Sequence, residues 1–430
     1  MRKILIFILI FLISNTAIAN ENSQNENYQS LSIQECLKLA LENHPSIKRS
    51  KGVTRVSLAQ LEALKVNDRI TVNLTGSARH TGNYEYWDEN TQTESIALNA
   101  SKLLYDNSQN KLKKSIQEHS IKASRESEIE TQISVAAAAK RAYYDLVLKI
   151  LNRDVEKEKL SNLEEHLKTA QGLYEVGNSA FIDVTKAQAD VASAKVSLLK
   201  AENDILLSQE ALKVAMGIDF ENPFEIKLST ELLLPKLENN IDELIITALN
   251  DRPDYKKLLL TAKSNELSIK SAARSNSPTL TGTAGTSFTD TNSSASRTEY
   301  TIGLSLNVPV VDGGASAAAV ENARGQLDQT NAEIDSLRQT LTHEVRSAAL
   351  SLKNATDRAK SSQASVKYAE ESLELAQGRY EVGVGNSLEL SDAVSTLASS
   401  RYVYYQALFD AQTARADLDE ALGHFPPEYY

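Results

Sequence analysis

The second half of this chain repeats the first. Over most of its 430 residues the offset is a constant 206. Ala170-Gln171-Gly172-Leu173-Tyr174-Glu175-Val176-Gly177 returns as Ala376-Gln377-Gly378-Arg379-Tyr380-Glu381-Val382-Gly383, with seven of eight positions identical. The same shift carries Leu74-Thr75-Gly76 onto Leu280-Thr281-Gly282, Asp106 onto Asp312, Ala187 onto Ala393 and Gly217 onto Gly423. Register kept over so long a stretch marks a duplicated unit. The period far exceeds the roughly 20–50 residues of a solenoid repeat. The chain must therefore fold as two similar halves of one object.

Residues 1–19 read as a secretory signal: Arg2 and Lys3 open it, Ile4 to Ile13 is an unbroken apolar run, and Ala17-Ile18-Ala19 fits a small-x-small cleavage site. An uncleaved anchor is the other reading, but a run of ten is short against the about 20 residues a membrane helix needs. The single cysteine, Cys36, lies well past that site and supports no lipid-anchored N-terminus. It shares a helical stripe with Ile33, Leu37, Ala40 and Leu41, which points to a buried structural thiol and rules out an internal disulfide. Net charge is −11, and −11 − 2 = −13 once the signal is removed. That acidity argues against nucleic acid as a partner, which selects basic surfaces. Residues 20–430 hold no apolar run of 18 or more, so no later membrane helix is expected. An exported chain of this kind is either soluble or inserted as a β-barrel.

Each half sets out the same order of elements. A short helix is predicted over 32–43 and 241–250, broken by Asn43-His44-Pro45 and Asp251-Arg252-Pro253, and a second over 46–69 and 254–275. The period then changes from 3.6 to 2. Within 298–310, Tyr300, Ile302, Leu304, Leu306 and Val308 face one way, while Thr301, Gly303, Ser305 and Asn307 face the other. Within 94–104, Ile96, Leu98 and Ala100 oppose Ser95, Ala97, Asn99 and Ser101. Weaker alternation places the partner strands at 71–80 and 279–288. Polar loops are expected at 81–93 and 289–299. The first carries Tyr84, Tyr86 and Trp87, readable as interfacial aromatics or as plain loop packing. One hairpin of about ten-residue strands in each half suits tilted transmembrane strands.

After each hairpin, residues 106–175 and 312–381 contain no proline and few glycines. A helix of roughly 70 residues, rising ~1.5 Å each, reaches about 105 Å. A glycine-marked turn leads into helices over 181–216 and 387–422, ending at Gly217 and Gly423, where left-handed caps are expected. Alanine-rich narrow seams suit coiled-coil packing. The expected fold class is mainly α with a small β part, its first repeat over 20–230 and its second over 231–430. Four strands cannot close a barrel, and an open sheet leaves unsatisfied edges in lipid. Three copies would supply twelve strands.

With this plan, and with the turns Tyr174-Glu175-Val176-Gly177…Ile182-Asp183-Val184 and Tyr380-Glu381-Val382-Gly383…Leu388-Glu389-Leu390-Ser391-Asp392, the chain resembles the TolC family of outer-membrane efflux and secretion channels. The likeness covers essentially everything after the signal. It implies a homotrimer in the outer membrane of a Gram-negative bacterium. A transmembrane 12-stranded β-barrel, four strands per chain and bathed in outer-membrane lipid, would continue into a long α-helical coiled-coil tunnel across the periplasm. The implied partners are a periplasmic adaptor (membrane fusion) protein and an inner-membrane RND or ABC pump, in a tripartite efflux or type I secretion complex. The conduit would be passive and gated at its periplasmic end.

The resemblance also assigns residues. Glu389 and Asp392, three apart and so able to share a helix face, match acidic positions that ring the entrance and attract cations. The plainer reading is that both favour a helix N-terminus. Asp183 and Tyr380 match gate contacts between neighbouring helices, through a phenol-to-carboxylate hydrogen bond. Val176, Gly177, Val382 and Gly383 mark turns that receive the adaptor's helical hairpins, or that hold glycine for its backbone freedom alone. The family's reinforcing arginine falls at Gly385 here, so a looser gate or another lock is expected.

No enzyme signature accompanies these features. His44, His80, His119, His166, His343 and His424 form no ligand pair at helical spacing, and one cysteine does not build a zinc site. Asp312-Gly313-Gly314 lacks the Gly-Lys-Ser/Thr of a phosphate loop and reads as the bend from strand to helix. No catalytic residue, cofactor or metal is assigned. One rival stays open: a soluble periplasmic coiled-coil scaffold or adaptor without a pore. It accounts for the helices and the acidity, but poorly for two hairpins with one apolar face.

Overall fold

The computed structural model describes residues 29–82, 90–218, 224–226, 234–235 and 240–429; the expected signal and the aromatic trio Tyr84, Tyr86 and Trp87 lie outside them. The first half runs β1 (Gln29–Leu31), α1 (Ile33–Asn43), α2 (Pro45–Val66), β2 (Thr71–Thr81), β3 (Thr91–Tyr105), α3 (Gln109–Glu175) and α4 (Phe181–Met216). The short strand β4 (Phe224–Ile226) follows, and the second half runs α5 (Ile241–Asp251), α6 (Pro253–Ala273), β5 (Thr279–Thr291), β6 (Ser294–Asn307), α7 (Ala315–Glu381) and α8 (Ser387–Leu422). The duplication is visible in the backbone: α3 and α7 have 67 residues each, and α4 and α8 have 36 each. At ~1.5 Å per residue the long helices reach about 100 Å.

The breaks and caps repeat as well. Pro45 and Pro253 open α2 and α6 at a position where a missing N–H costs nothing. Gly217 (φ 67°) and Gly423 (φ 76°) end α4 and α8 as left-handed caps. Each cap is pressed onto the proline break of its own half. A Cβ on Gly217 would lie 2.6 Å from His44 Cα, and one on Gly423 would lie 2.8 Å from Arg252 Cα. Around these junctions the first half buries Leu31, Cys36, Tyr143, Leu146, Leu212 and Met216, and the second buries Leu244, Ala248, Val345, Ala349, Leu418 and Leu422. Burial pushes the Cys36 thiol up to about 12, as befits a structural group. Beside them β1 pairs in parallel with β4, an element too short for any periodicity to reveal.

The other four strands form one antiparallel sheet in the order β2-β3-β5-β6. They are 11, 15, 13 and 14 residues long, more than the ten expected. Residues 289–299, expected as a loop, are mostly strand, with β5 and β6 joined tightly through Asn292 and Ser293. Beyond the apolar band both faces are polar, so the alternation fades while the backbone ladder continues. Register gathers the apolar residues onto one face: Leu74 lies opposite Leu98, Ile96 opposite Phe288, Ala284 opposite Ile302, and Leu280 opposite Leu306. That face is bare in the single chain; Leu74 is 71% exposed and Ile302 85%.

Below the sheet, α2 and α6 pack along the upper parts of α3 and α7, while α4 and α8 pack along the lower parts. Alanines at the seams, among them Ala170, Ala187, Ala359 and Ala376, let the backbones approach closely. No described helix is long and apolar enough to cross a membrane.

Candidate functional site

The residues singled out by sequence sit at two helical tips, where α3 turns into α4 and α7 into α8. The second tip is built as follows. The Val382 N–H bonds Gly378 O at 3.3 Å, Gly383 takes φ 76°, and the Gly385 N–H bonds Arg379 O at 2.8 Å. Asn386 Oδ1 then caps α8 by accepting from the Glu389 N–H at 2.8 Å. The turn closes backbone against backbone at Gly385, where a Cβ would meet Tyr380 N at 3.0 Å and Arg379 Cβ at 3.1 Å.

Glu389 stands in the first turn of α8, and Arg379 in the last turn of α7. Their side chains form an ion pair, Nε to Oε1 3.1 Å, with 54% and 41% of their surfaces exposed. Asp392 is exposed and forms no ion pair among the described residues. The two acidic candidates thus differ: one is compensated, the other is not. Sequence reasoning missed Arg379, although it is the one position at which the eight-residue repeat disagrees with itself.

The first tip makes the same turn with other side chains. Gly177 has φ 80°, and the Gly177 N–H bonds Tyr174 O at 3.0 Å, against 3.1 Å from Gly383 to Tyr380. Asp183 takes the place of Glu389, but its Oδ2 accepts from Ser179 Oγ at 2.7 Å. Leu173 stands where Arg379 does, and Lys186 where Asp392 does. Val176 and Val382 are largely exposed, so both turns carry an apolar point.

Tyr380 is 5% exposed and packs edge-on against His166, with ring centroids 5.1 Å apart. Its hydroxyl makes no well-formed hydrogen bond among the described residues. Burial raises its pKa, the Asp183 charge adds to the rise, and Ser387 offsets part of it. Tyr380 and Asp183 are therefore near enough to interact electrostatically, but the expected phenol-to-carboxylate bond is not made within one chain. Tyr380 lies in the core with Leu163, Leu373, Leu390 and Val394, and Ser179 holds the Asp183 carboxylate.

Beneath the tips lies a polar cluster that sequence reasoning did not find. His166 is buried, its Nε2 lies 3.1 Å from Ser387 Oγ, and its Nδ1 has no partner among the described residues. Burial lowers the His166 pKa, against the opposing pull of Asp190 and Asp183. Asp190 in turn accepts from Ser391 Oγ at 2.9 Å. Partners some 200 positions apart leave no local signal. Among the described residues no three of His, Cys, Asp and Glu are grouped so as to hold a metal ion.

These features have relatives. The family model described as outer membrane efflux protein matches residues 36–218 and 244–424, one segment in each half. The chain is 24% identical over 297 residues to the probable efflux pump outer membrane protein TtgC of Pseudomonas putida; the match covers 68% of this chain but 61% of that relative, less than two thirds of its length. It is 21% identical over 422 residues to the cation efflux system protein CusC of Escherichia coli O157:H7, covering 96% of this chain and 92% of that one. In three dimensions it superposes on a crystal structure of CusC with a TM-score of 0.78, at 18% identity over 95% of this chain and 96% of the other.

Proposed function

The chain belongs to the outer membrane efflux protein family, and from that premise we propose that it is the outer-membrane channel of a tripartite efflux or secretion assembly. The observation that carries this reading is the sheet's apolar face. Val72, Leu74, Ile96, Leu98, Phe288, Tyr300, Ile302, Leu304 and Leu306 all lie exposed on the strands of one sheet. Soluble proteins seldom expose apolar patches beyond a few hundred Å², whereas lipid rewards burial at about 25 cal/mol per Å². The opposite face offers Thr71, Asn73, Ser101, Thr283 and Ser305 to water. A soluble scaffold gives that apolar face no partner.

Within one chain β2 and β6 each pair on one side only. Three copies joined β6 to β2 close twelve strands and leave no edge in lipid. The helices ask for the same neighbours. α8 packs on α3, but among the described residues no comparable packing of α4 on α7 occurs, and Val196, Leu199, Leu206 and Val214 remain exposed on α4. A neighbouring protomer supplies the missing surface.

The mechanism is passive: a water-filled conduit crosses the outer membrane and continues through the periplasm. The tips, with Val176, Gly177, Val382 and Gly383, dock a periplasmic adaptor that bridges to an RND or ABC pump. Glu389 and Asp392 line the entrance. Asp183 and Tyr380 hold the lower helices closed through packing and charge. Adaptor binding favours the open state by its differential affinity for that state.

The test begins with the full chain expressed in a Gram-negative host. Recovery in the outer-membrane fraction as trimers, and stepwise conductance in planar bilayers, is the expected result. A monomer found in the soluble periplasm would sink the reading.

A further inference from the structure

We propose that Arg379 sets the ion selectivity of the periplasmic entrance, by cancelling the charge of Glu389 and leaving Asp392 as the uncompensated member of that acidic pair. The inference rests on the channel reading above and deepens it at one residue.

Three observations support it. First, the pair sits where both charges are favoured whether or not they touch. Arg379 lies in the last turn of α7, beside the negative pole of that helix, and Glu389 in the first turn of α8, beside the positive pole. The 3.1 Å contact across the turn then superposes the two fields. Second, the arginine is not needed to form the turn. The first tip makes the same glycine turn, with the same backbone hydrogen bond, from a leucine at the equivalent Leu173. The molecule thus carries its own control against a purely structural role. Third, Gly385 leaves the space to Arg379. A side chain at 385 would crowd Arg379 Cβ at 3.1 Å and Tyr380 N at 3.0 Å. Positive charge reaches this place from 379, with 385 kept bare.

A half-exposed ion pair contributes little binding energy of its own. Its effect on permeation is different in kind, because a field falls off over a Debye length of about 10 Å at 0.1 M salt, and a narrow entrance focuses it. In a threefold assembly each chain adds the same arginine, so the choice at 379 decides whether one or both of Glu389 and Asp392 stand uncompensated in each chain. The ligands concerned are small inorganic cations, divalent ones above all.

The experiment compares wild type, Arg379→Leu, Arg379→Lys and Glu389→Gln as purified trimers in planar bilayers, reading reversal potentials in a KCl gradient and block by added MgCl2. Arg379→Leu installs the first tip's residue. It is expected to raise cation selectivity and to tighten Mg2+ block by roughly tenfold at low salt, the gain shrinking as salt rises. Arg379→Lys keeps the wild-type values, and Glu389→Gln shifts selectivity toward anions. Should Arg379→Leu fail to assemble, Arg379→Gln, which removes the charge and keeps a polar side chain, decides the matter in its place. Conducting pores whose selectivity and block are the same in wild type and in the charge-removing Arg379 variant would overturn the role of Arg379 and leave the channel standing. Wild-type protein that is recovered as a soluble monomer and forms no pores would overturn the channel reading itself.

Discussion

Gly217 against His44 and Gly423 against Arg252 are one contact made twice, whereas Tyr174 and Tyr380, equivalent by sequence, occupy opposite surroundings. Tyr174 is 45% exposed and leans on Phe181; Tyr380 is buried against His166. The mid-height junctions are internal to each half, so each half must satisfy the same geometry on its own. The tips are not. Within one chain α8 finds α3 beside it, while α4 has no such neighbour from α7. Duplicated turns were therefore free to diverge wherever their surroundings differ, and the divergence is in charge and burial rather than in backbone.

The sharpest way to test that contrast is to truncate both tyrosines. Tyr380→Ala removes a core aromatic and is expected to cost about 3–5 kcal/mol of local stability, against less than about 1 kcal/mol for Tyr174→Ala in the isolated protomer. Tyr380→Phe is expected to be nearly neutral, because the hydroxyl it deletes makes no well-formed hydrogen bond. Hydrogen exchange at the lower ends of α3 and α7 measures all three. Equal losses at the two tyrosines would break the comparison.

Next come the glycines. Gly217→Ala and Gly423→Ala each impose a left-handed strain and a Cβ clash on facing backbone, and are expected to cost about 2–4 kcal/mol, alike in the two halves. Gly177→Ala and Gly383→Ala carry the strain alone, since nothing lies within 4 Å of their added Cβ, and are expected to cost about 1 kcal/mol. Denaturant midpoints of the four variants separate the two classes.

The His166 cluster, where α3 meets Tyr380 and Ser387, adds a pH dependence of its own. Its imidazole is held below the ordinary value by burial, so between that lowered value and about 6.5 the unfolded chain binds more protons than the native one. Stability is full above that window and falls as pH drops through it. His166→Gln is expected to flatten the pH response of exchange around Tyr380 while leaving that around Tyr174 unchanged. Acid loosening that persists in the variant would remove His166 from the account.

The smallest effect concerns charge. Leu173→Arg with Arg379→Leu exchanges the two tips' residues and is expected to shift stability by less than about 1 kcal/mol. Circular dichroism melts that fall together with wild type would bear this out, whatever happens to conductance.

The long helices, their stops at Gly217 and Gly423, and the apolar rows of the sheet were legible in the sequence because each follows from a local period or a backbone constraint that a single residue type satisfies. Glu389 was legible as an acidic helix-start residue on the same grounds, whereas Asp392 lies beyond the first turn of α8. The outer reaches of β5 and β6 were not, since polar residues on both faces leave no alternation to read. Nor was the β1–β4 pair, or the polar cluster of His166 and Ser387, whose members are 221 positions apart in the chain. Whether Tyr380 bonds Asp183 or packs on His166, and whether Glu389 stands alone or beside Arg379, depends on which helix lies across from which. Tertiary packing decided these points because contact between distant segments is set by the docking of whole helices, and no local run of residues encodes that docking.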